Sequence, residues 1–157
     1  MKRGQAFDTM MLVISVIVAL VILGILLNIL GKILSPGQEP KELMQQDLKK
    51  VSTAGYGITN PKEADFKKDS VLDKQEIIGS VALLPEEVGF KCDGSFCTKV
   101  FGSITQTQKQ VFVQTDSKAN FVVCGSDSTK SNPKYCIGLG RNSADATNAC
   151  LTLCKLK

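Results

Sequence analysis

Histidine is absent from this chain of 157 residues, which removes the commonest catalytic base and a common metal ligand. No serine–lysine pair or matched pair of carboxylates stands out in its place. The cysteines also lack the two-residue separation that is typical of zinc knuckles and thioredoxin-like motifs. We therefore predict a protein that is not an enzyme and that carries no cofactor or metal. The less favoured alternatives are a four-cysteine metal site and a thiol oxidoreductase at Cys150 and Cys154.

Clusters of positive charge are also scarce. After residue 34 the chain has sixteen basic and fourteen acidic side chains, and its basic pairs are confined to residues 49–50 and 67–68. This scattered charge fits a solvated surface, so we predict no nucleic-acid partner. No Asn-x-Ser/Thr sequence occurs, so N-linked glycosylation has no acceptor site. No internal repeat is visible, and the 123 residues after residue 34 are enough for one core of ordinary size.

A glycine-containing segment at residues 138–143 matches a phosphate-binding loop only in part. The segment follows a predicted strand and opens a possible helix, but Ser143 stands where the motif has its third glycine. We interpret the segment as a strand-to-helix turn that uses the conformational freedom of glycine.

The dominant feature of the sequence is an apolar run at residues 10–27, which continues past Asn28 to residue 34. Eighteen residues of helix cover roughly 27 Å, and the longer run exceeds the roughly 30 Å hydrocarbon core of a bilayer. Because Lys2 and Arg3 precede the run, the positive-inside rule places the N-terminus in the cytoplasm, although Lys32 weakens the asymmetry. The rest of the chain is then expected outside the membrane.

The junction in front of this run identifies the type of leader that we predict. Two cations and a glycine (Lys2, Arg3 and Gly4) precede Gln5, and no A-x-A-like cleavage site follows the apolar run. These residues, followed by Asp8 and the apolar run, resemble the class III signal peptide of archaeal type IV pilin-like proteins. In that family a membrane peptidase cuts before the apolar segment. The resemblance covers about residues 1–34.

The resemblance implies a domain order and a function. Cleavage between Gly4 and Gln5 would divide the chain into a leader (1–4) and a transmembrane or filament-core helix (5–34). A flexible neck (35–40) and an extracellular head (41–157) would follow. The protein would be a structural subunit of an archaeal type IV pilus-like filament, anchored in the cell membrane as a precursor and displayed at the cell surface when mature.

The resemblance also implies partners. They are membrane lipid before assembly, a prepilin peptidase, a pilus assembly ATPase with its membrane platform protein, and other copies of the chain in a helical filament. The alternative function is an uncleaved, single-pass, membrane-anchored extracytoplasmic protein that acts in binding or in envelope maintenance.

Two details depart from the pattern of many pilins. Asp8 is the fourth residue after the proposed cut, whereas many pilins have a glutamate at the fifth. Asp8 can form a salt bridge with the N-terminal amine of a neighbouring subunit, or it can simply lie near the first helical turn, where the helix dipole favours an acid. The prolines of residues 35–40 are expected to interrupt a helix that many pilins continue into the head.

The head is predicted to be α+β, with short helices and an antiparallel β-sheet cross-linked by disulfides. Apolar residues at helical spacing predict an amphipathic helix over residues 41–54; they are Met44, Leu48 and Val51. A capping box at residues 73–76 predicts a second helix that runs to Pro85, and its apolar residues are Ile77, Val81 and Leu84.

Strand propensity dominates after residue 87. The predicted strands are 88–92, 97–104, 111–115, 120–124 and 134–139. Turn residues separate the first two strands, and others separate the next two, so we predict two antiparallel hairpins. Residues 142–154 fit a helix or, in their last part, a strand.

Six cysteines predict three disulfides, in keeping with an oxidising location. They are Cys92, Cys97, Cys124, Cys136, Cys150 and Cys154. A hairpin would bring Cys92 and Cys97 within bonding distance. Three pairings remain for the other four, and we favour a crossed arrangement that ties the C-terminal segment to the sheet.

Overall fold

The computed structural model describes residues 3–34, 39–79, 81–128 and 131–156, and for residues 3–7 and 31–34 it describes the backbone alone. The chain divides into two compact units between residues 37 and 38. The first unit contains helix α1 (Arg3–Leu34), which confirms that residues 5–34 are helical. The second unit is the head.

The head contains four further helices and seven strands among its described residues. The helices are α2 (Pro40–Ala54), α3 (Lys74–Ile78), α4 (Ser95–Phe101) and α5 (Ser143–Leu153), with a 3-10 turn at Pro85–Glu87. The strands are β1 (Gly57–Ile58), β2 (Lys62–Phe66), β3 (Val71–Asp73), β4 (Val88–Cys92), β5 (Gln110–Phe112), β6 (Ser117–Gly125) and β7 (Tyr135–Gly140). The α+β class is therefore confirmed.

The main sheet is mixed, whereas an antiparallel sheet was predicted. Strand β6 pairs antiparallel with β7 on one side and with β1 and β2 on the other, and β7 pairs parallel with β4. Strands β3 and β5 form a separate antiparallel pair. Three of these strands, β1 to β3, lie in residues 57–73, where we predicted none.

The sheet buries both of its faces. Because side chains alternate along a strand, Phe121 and Val123 of β6 join the core on the side of α2, while Val122 and Cys124 join the core on the side of α5. The larger core also takes side chains from α3, α4 and the β3–β5 pair. The head therefore has apolar packing on each side of one sheet.

Helix α2 closely follows its prediction. The three predicted core residues, Met44, Leu48 and Val51, are buried. The helix starts at Pro40, which belongs to its first turn, where the missing N–H of proline removes no helical hydrogen bond. The rest of the predicted neck, apart from residue 39, lies outside the described residues.

Helix α3 is shorter than predicted. The Asp73 carboxylate accepts a hydrogen bond from the Gln75 N–H at 2.7 Å and so caps the helix, as its position suggested. The helix ends at Ile78 because Gly79 has a positive φ of 52°. Leu84, one of the three apolar residues predicted to form the buried side of this helix, is instead 61% exposed.

Both predicted hairpins are wrong. Residues 97–104 do not form a strand, because Gly94 has a φ of 97° and the chain enters helix α4 at Ser95. Strand β4 finds its partner in β7 instead. Strands β5 and β6 are adjacent in sequence but do not pair with each other, since β5 pairs with β3.

Residues 142–154 resolve as helix α5, with Asn142 as its N-cap: the side-chain oxygen accepts a hydrogen bond from the Asp145 N–H at 2.9 Å. The preceding Gly138 and Gly140 do not have positive φ, so the expected use of glycine flexibility is wrong. A Cβ atom at Gly138 would clash with the Ala146 carbonyl oxygen. These glycines let the backbone of α5 lie directly against β7.

Candidate membrane-spanning and assembly segment

Helix α1 presents an apolar surface on every side. Residues Asp8–Leu30 form a 23-residue stretch with no buried residue, and an 18-residue window within it has a mean hydropathy of 3.2. In the described chain, α1 is the one helix long and apolar enough to cross a membrane. Twenty-three residues of helix span about 35 Å, compared with about 30 Å for the hydrocarbon core. Length and composition therefore allow α1 to cross a bilayer.

Polar groups within this stretch are few. The Ser15 hydroxyl donates a hydrogen bond to the Met11 carbonyl oxygen at 2.8 Å, so the helix itself satisfies this donor. The exposed Asn28 amide has no hydrogen-bond partner among the described residues. Apart from the local backbone of α1 and the two adjacent residues, no heavy atom lies within 4 Å of a Cβ built on Gly24, so another helix can approach closely there.

The predicted cleavage junction lies at the start of the helix. The backbone is helical from Arg3 onwards, so Gly4 and Gln5 lie within α1, although their side chains are outside the described ones. Lys2 lies outside the described residues. The Asp8 side chain is exposed and forms no ion pair with another described residue. Cleavage at Gly4 and the Asp8 salt bridge between subunits stay predictions.

The six cysteines form three disulfides. The pairs are Cys92–Cys97, Cys124–Cys150 and Cys136–Cys154. The last two pairs are the crossed arrangement: Cys124 and Cys136 lie directly opposite each other on β6 and β7. Their partners lie one turn apart, Cys150 in the last turn of α5 and Cys154 at its C-cap. The first pair joins the end of β4 to helix α4 and does not cross a hairpin.

The crossed disulfides bring three sulfur atoms close together. The sulfurs of Cys124, Cys136 and Cys154 all lie within 4.8 Å of one another, a spacing compatible with metal ligation. Each is bonded to another sulfur, however, and a metal requires a free thiolate. In this oxidised state the cluster cross-links α5 to the sheet.

A buried carboxylate in the head was missed by the sequence reasoning. Asp47 of α2 is 1% exposed, and its Oδ1 accepts a hydrogen bond from Lys62 Nζ at 2.6 Å, with Lys50 Nζ at 3.7 Å. Its Oδ2 has no hydrogen-bond partner among the described residues. Asp47 lies three residues after Met44 and next to Leu48. The helical spacing of the buried apolar residues of α2 could therefore have indicated that Asp47 is buried too.

Asp47 borders a surface cleft of about 340 Å³. Tyr56 and Ile58, two of the few large apolar side chains exposed in the head, also line this cleft. An aromatic ring beside paired charges offers both apolar contact and hydrogen bonds to a partner. The cleft is therefore a second candidate surface, separate from α1.

Comparison with known proteins gives no match: no protein-family model, no curated protein and no solved structure is similar to this chain. The function must therefore be inferred from the chain's own residues.

Proposed function

We propose that this chain is the structural subunit of an archaeal type IV pilus-like filament, made as a membrane-anchored precursor. A prepilin peptidase removes residues 1–4, and the assembly ATPase and membrane platform protein then add the subunit to a filament through α1. The observation that carries this proposal is the combination of the Arg3-Gly4-Gln5 junction with a helix that is apolar on every side. The apolar stretch alone would suit any single-pass protein.

The surface of α1 supports both stages of this function. A helix without a polar face is stable in lipid, and it remains compatible with a surrounding of other apolar helices. Assembly is favoured when close helix contacts replace lipid contacts, and Gly24 and Ser15 provide small positions for such contacts. An acid at Asp8 gains further stabilisation if the free amine of a neighbouring subunit becomes its partner.

The disulfides of the head fit an extracytoplasmic position. Such bonds persist in oxidising spaces and are rare in the cytosol. Each contributes roughly 2–4 kcal/mol to stability, which suits a domain that must survive proteolysis and shear without chaperones. This argument supports the location of the head more strongly than it supports assembly.

The N-terminus of the mature protein tests the proposal directly. We expect mass spectrometry of protein purified from the native membrane or from surface filaments to find a chain that begins at Gln5. A mature chain that still begins at Met1 or Lys2 would contradict cleavage, and with it the pilin-like function.

Substitution at the junction gives a second test. Gly4→Leu is expected to leave an unprocessed precursor in the membrane and to abolish filaments, because a bulky side chain replaces the small residue before the cut. The matched control is Gly24→Leu, which adds the same side chain inside the apolar segment and should leave processing intact. Normal processing of Gly4→Leu would show that the cut lies elsewhere.

Asp8 separates processing from assembly. We expect Asp8→Ala to be cleaved normally but to form few filaments, because the neighbouring amine loses its carboxylate. Asp8→Glu, which retains the charge, should restore much of the assembly. If Asp8→Ala assembles as well as the unmodified chain does, Asp8 serves only the helix dipole.

The cleft beside Asp47 favours the second candidate function, an uncleaved membrane-anchored binding protein. Its exposed Tyr56 and Ile58 are suited to contact with a partner. This function predicts an intact N-terminus and no filaments under electron microscopy. Substitution of Tyr56 by serine would then impair the function of the protein, whereas Gly4→Leu would not.

A further inference from the structure

The head contains a lysine that is buried without a counter-ion. Lys74, the first residue of α3, is 3% exposed. Its Nζ donates a hydrogen bond to the Gln106 carbonyl oxygen at 2.9 Å and lies 5.8 Å from the centre of the Phe90 ring. No ion pair among the described residues includes it. An ammonium group has three donors, and the described residues provide an acceptor for one of them.

These contacts leave the buried charge of Lys74 without a counter-ion and with too few hydrogen-bond acceptors. Burying a charge is costly unless the charge is paired and hydrogen-bonded. Burial accordingly lowers the pKa of Lys74 below its ordinary value. The neighbouring Asp73 does not supply the missing anion, because no ion pair joins it to Lys74. Its two oxygens instead accept hydrogen bonds from the Gln75 N–H and the Gln110 side chain.

Lys74 lines a cavity of about 250 Å³, here called the Lys74 pocket. The pocket lies where the start of α3, the 3-10 turn, the loop before β5 and the loop before β7 meet. Its other lining residues include two prolines and three charged or polar side chains: Pro85, Pro133, Glu86, Gln106 and Lys109. A volume below the roughly 300–1,000 Å³ of drug-sized sites suits a small ligand or a single side chain.

We propose that the Lys74 pocket binds a carboxylate group, with the Lys74 ammonium as its counter-ion. The charged lining residues are Lys74, Lys109 and Glu86, so their sum is a single positive charge. This sum matches a monoanion better than a dianionic phosphate, which Glu86 would repel. The prolines provide an apolar wall for a short aliphatic chain. The carboxylate belongs to a small free acid or to an acidic side chain of a second copy, and the inference is independent of the proposed filament.

The experiment uses the full chain in detergent micelles at constant ionic strength. NMR follows the lysine side-chain signals while sodium butyrate is added, and inorganic phosphate is the comparator. We expect a saturable shift of the Lys74 signal and a rise of the Lys74 pKa, because a bound anion stabilises the ammonium form. Binding should weaken as the pH rises through that pKa.

Variants assign the effect to the pocket. Lys74→Met should abolish the saturable binding, and Lys109→Met should weaken it about two- to fivefold, as expected for a more exposed charge. The matched control is Lys118→Met, which removes an exposed lysine outside the pocket and should leave the affinity unchanged. If Lys74→Met does not fold, the titration of the unmodified chain still tests whether the pocket binds a carboxylate. A lysine that only donates a hydrogen bond to the Gln106 loop would not respond to butyrate.

Three results would overturn the proposal: no saturable shift in the unmodified chain, equal butyrate binding by a folded Lys74→Met variant, or phosphate binding as tight as butyrate binding.

Dilution distinguishes the two sources of the carboxylate. A Lys74 signal that shifts with protein concentration, and that butyrate returns to its dilute position, identifies a side chain of a second copy. A signal independent of protein concentration identifies a free acid.

Discussion

The two units of this chain use the same apolar residue types in opposite ways. Leu20 in the middle of α1 is 62% exposed, whereas Leu48 on α2 is completely buried. The difference lies in the pattern around each leucine. In α2 polar residues separate the apolar ones at helical spacing, and in α1 apolar residues follow one another without a polar face. The residues that surround a leucine, rather than the leucine itself, therefore determine whether it packs into a core or stays on an all-apolar helix surface.

The comparison also shows what each unit needs from its surroundings. The head satisfies its apolar surface internally, with a core on each side of the sheet. Helix α1 buries none of residues Asp8–Leu30 within the described chain, and such apolar surface is more stable away from water. Changes in one unit should therefore leave the other largely intact.

The largest expected effect comes from placing charges in the middle of α1. Fifteen of the 23 residues Asp8–Leu30 are leucine, isoleucine or valine, which together favour insertion by about 4.5–9 kcal/mol. Two arginines near the centre cost about 5–7 kcal/mol. We expect Val18→Arg with Ile22→Arg to lose most membrane association, measured by membrane flotation, while the head keeps its protease resistance. The control replaces the same two residues with leucine, which keeps the segment apolar. Loss of head structure in the arginine variant would contradict the independence of the two units.

The second effect concerns the disulfides, which are confined to the head. Replacing Cys124 and Cys150 with alanine opens a separation of 26 residues, and the entropy model predicts a loss of about 3.5 kcal/mol. The corresponding loss for Cys92 and Cys97, which are five residues apart, is about 2 kcal/mol. Urea unfolding in micelles measures both, and membrane flotation should be unchanged. Equal losses of stability would show that loop length does not determine how much each disulfide contributes.

A pair of glycines tests the contrast at single positions. Gly138→Ala places a Cβ against the backbone of α5 and should destabilise the head by about 1–3 kcal/mol. Gly24→Ala meets open space in α1 and adds a better helix former, so no loss is expected. Thermal unfolding followed by circular dichroism compares the two variants. A Gly138→Ala chain as stable as the unmodified one would show that α5 can move away from β7 at no cost.

The smallest effect is at the cap of α3. Hydrogen bonds from the Gln110 side chain and the Gln75 N–H hold the pKa of Asp73 below its ordinary value. The stabilisation is therefore present above pH about 4 and is lost as the pH falls through the folded-state pKa. Asp73→Ala should cost about 1 kcal/mol near pH 7, and the difference should shrink in acid. Asp73→Asn retains the cap without titrating, so urea unfolding should show little loss of stability for this variant at pH 7. A stability difference between Asp73→Ala and the unmodified chain that does not change with pH would contradict this role.

The parts of the fold that could be predicted depend on local patterns. Helix α2 and the apolar stretch of α1 follow from residue spacing within a few turns. Strand β6 follows from a run of β-branched and aromatic residues, and a strand was also predicted over residues 134–139, where β7 lies. The crossed disulfides were favoured in part because a helical reading of residues 142–154 places Cys150 and Cys154 one turn apart, which is a poor geometry for a bond between them.

The errors arise from contacts between distant residues. Val88 of β4 pairs with Tyr135 of β7, 47 residues further along the chain, and no local signal specifies a parallel partner so far away. The Asp93-Gly94 pair was interpreted as a hairpin turn, although a glycine with positive φ also permits the entry into α4.

The buried charges were missed for a related reason. Asp47 and Lys74 break the apolar pattern of the core, and their partners come from other segments of the chain. The junction residues Gly4 and Asp8 differ from these cases, since their predicted partners are a peptidase and a neighbouring copy of the chain. Residue spacing cannot reveal such partners, and only the resemblance to pilin-like proteins suggested them.

The opposed positions of Cys124 and Cys136 have a consequence for biosynthesis. The ribosome makes these two residues before Cys150 and Cys154. Opposed residues of an antiparallel pair lie about 4.5–5.5 Å apart, within the range that a disulfide spans. An oxidant that meets the β6–β7 hairpin before α5 is complete can therefore join Cys124 to Cys136, a bond absent from the final fold. We expect efficient maturation to require late oxidation or an enzyme that exchanges disulfides.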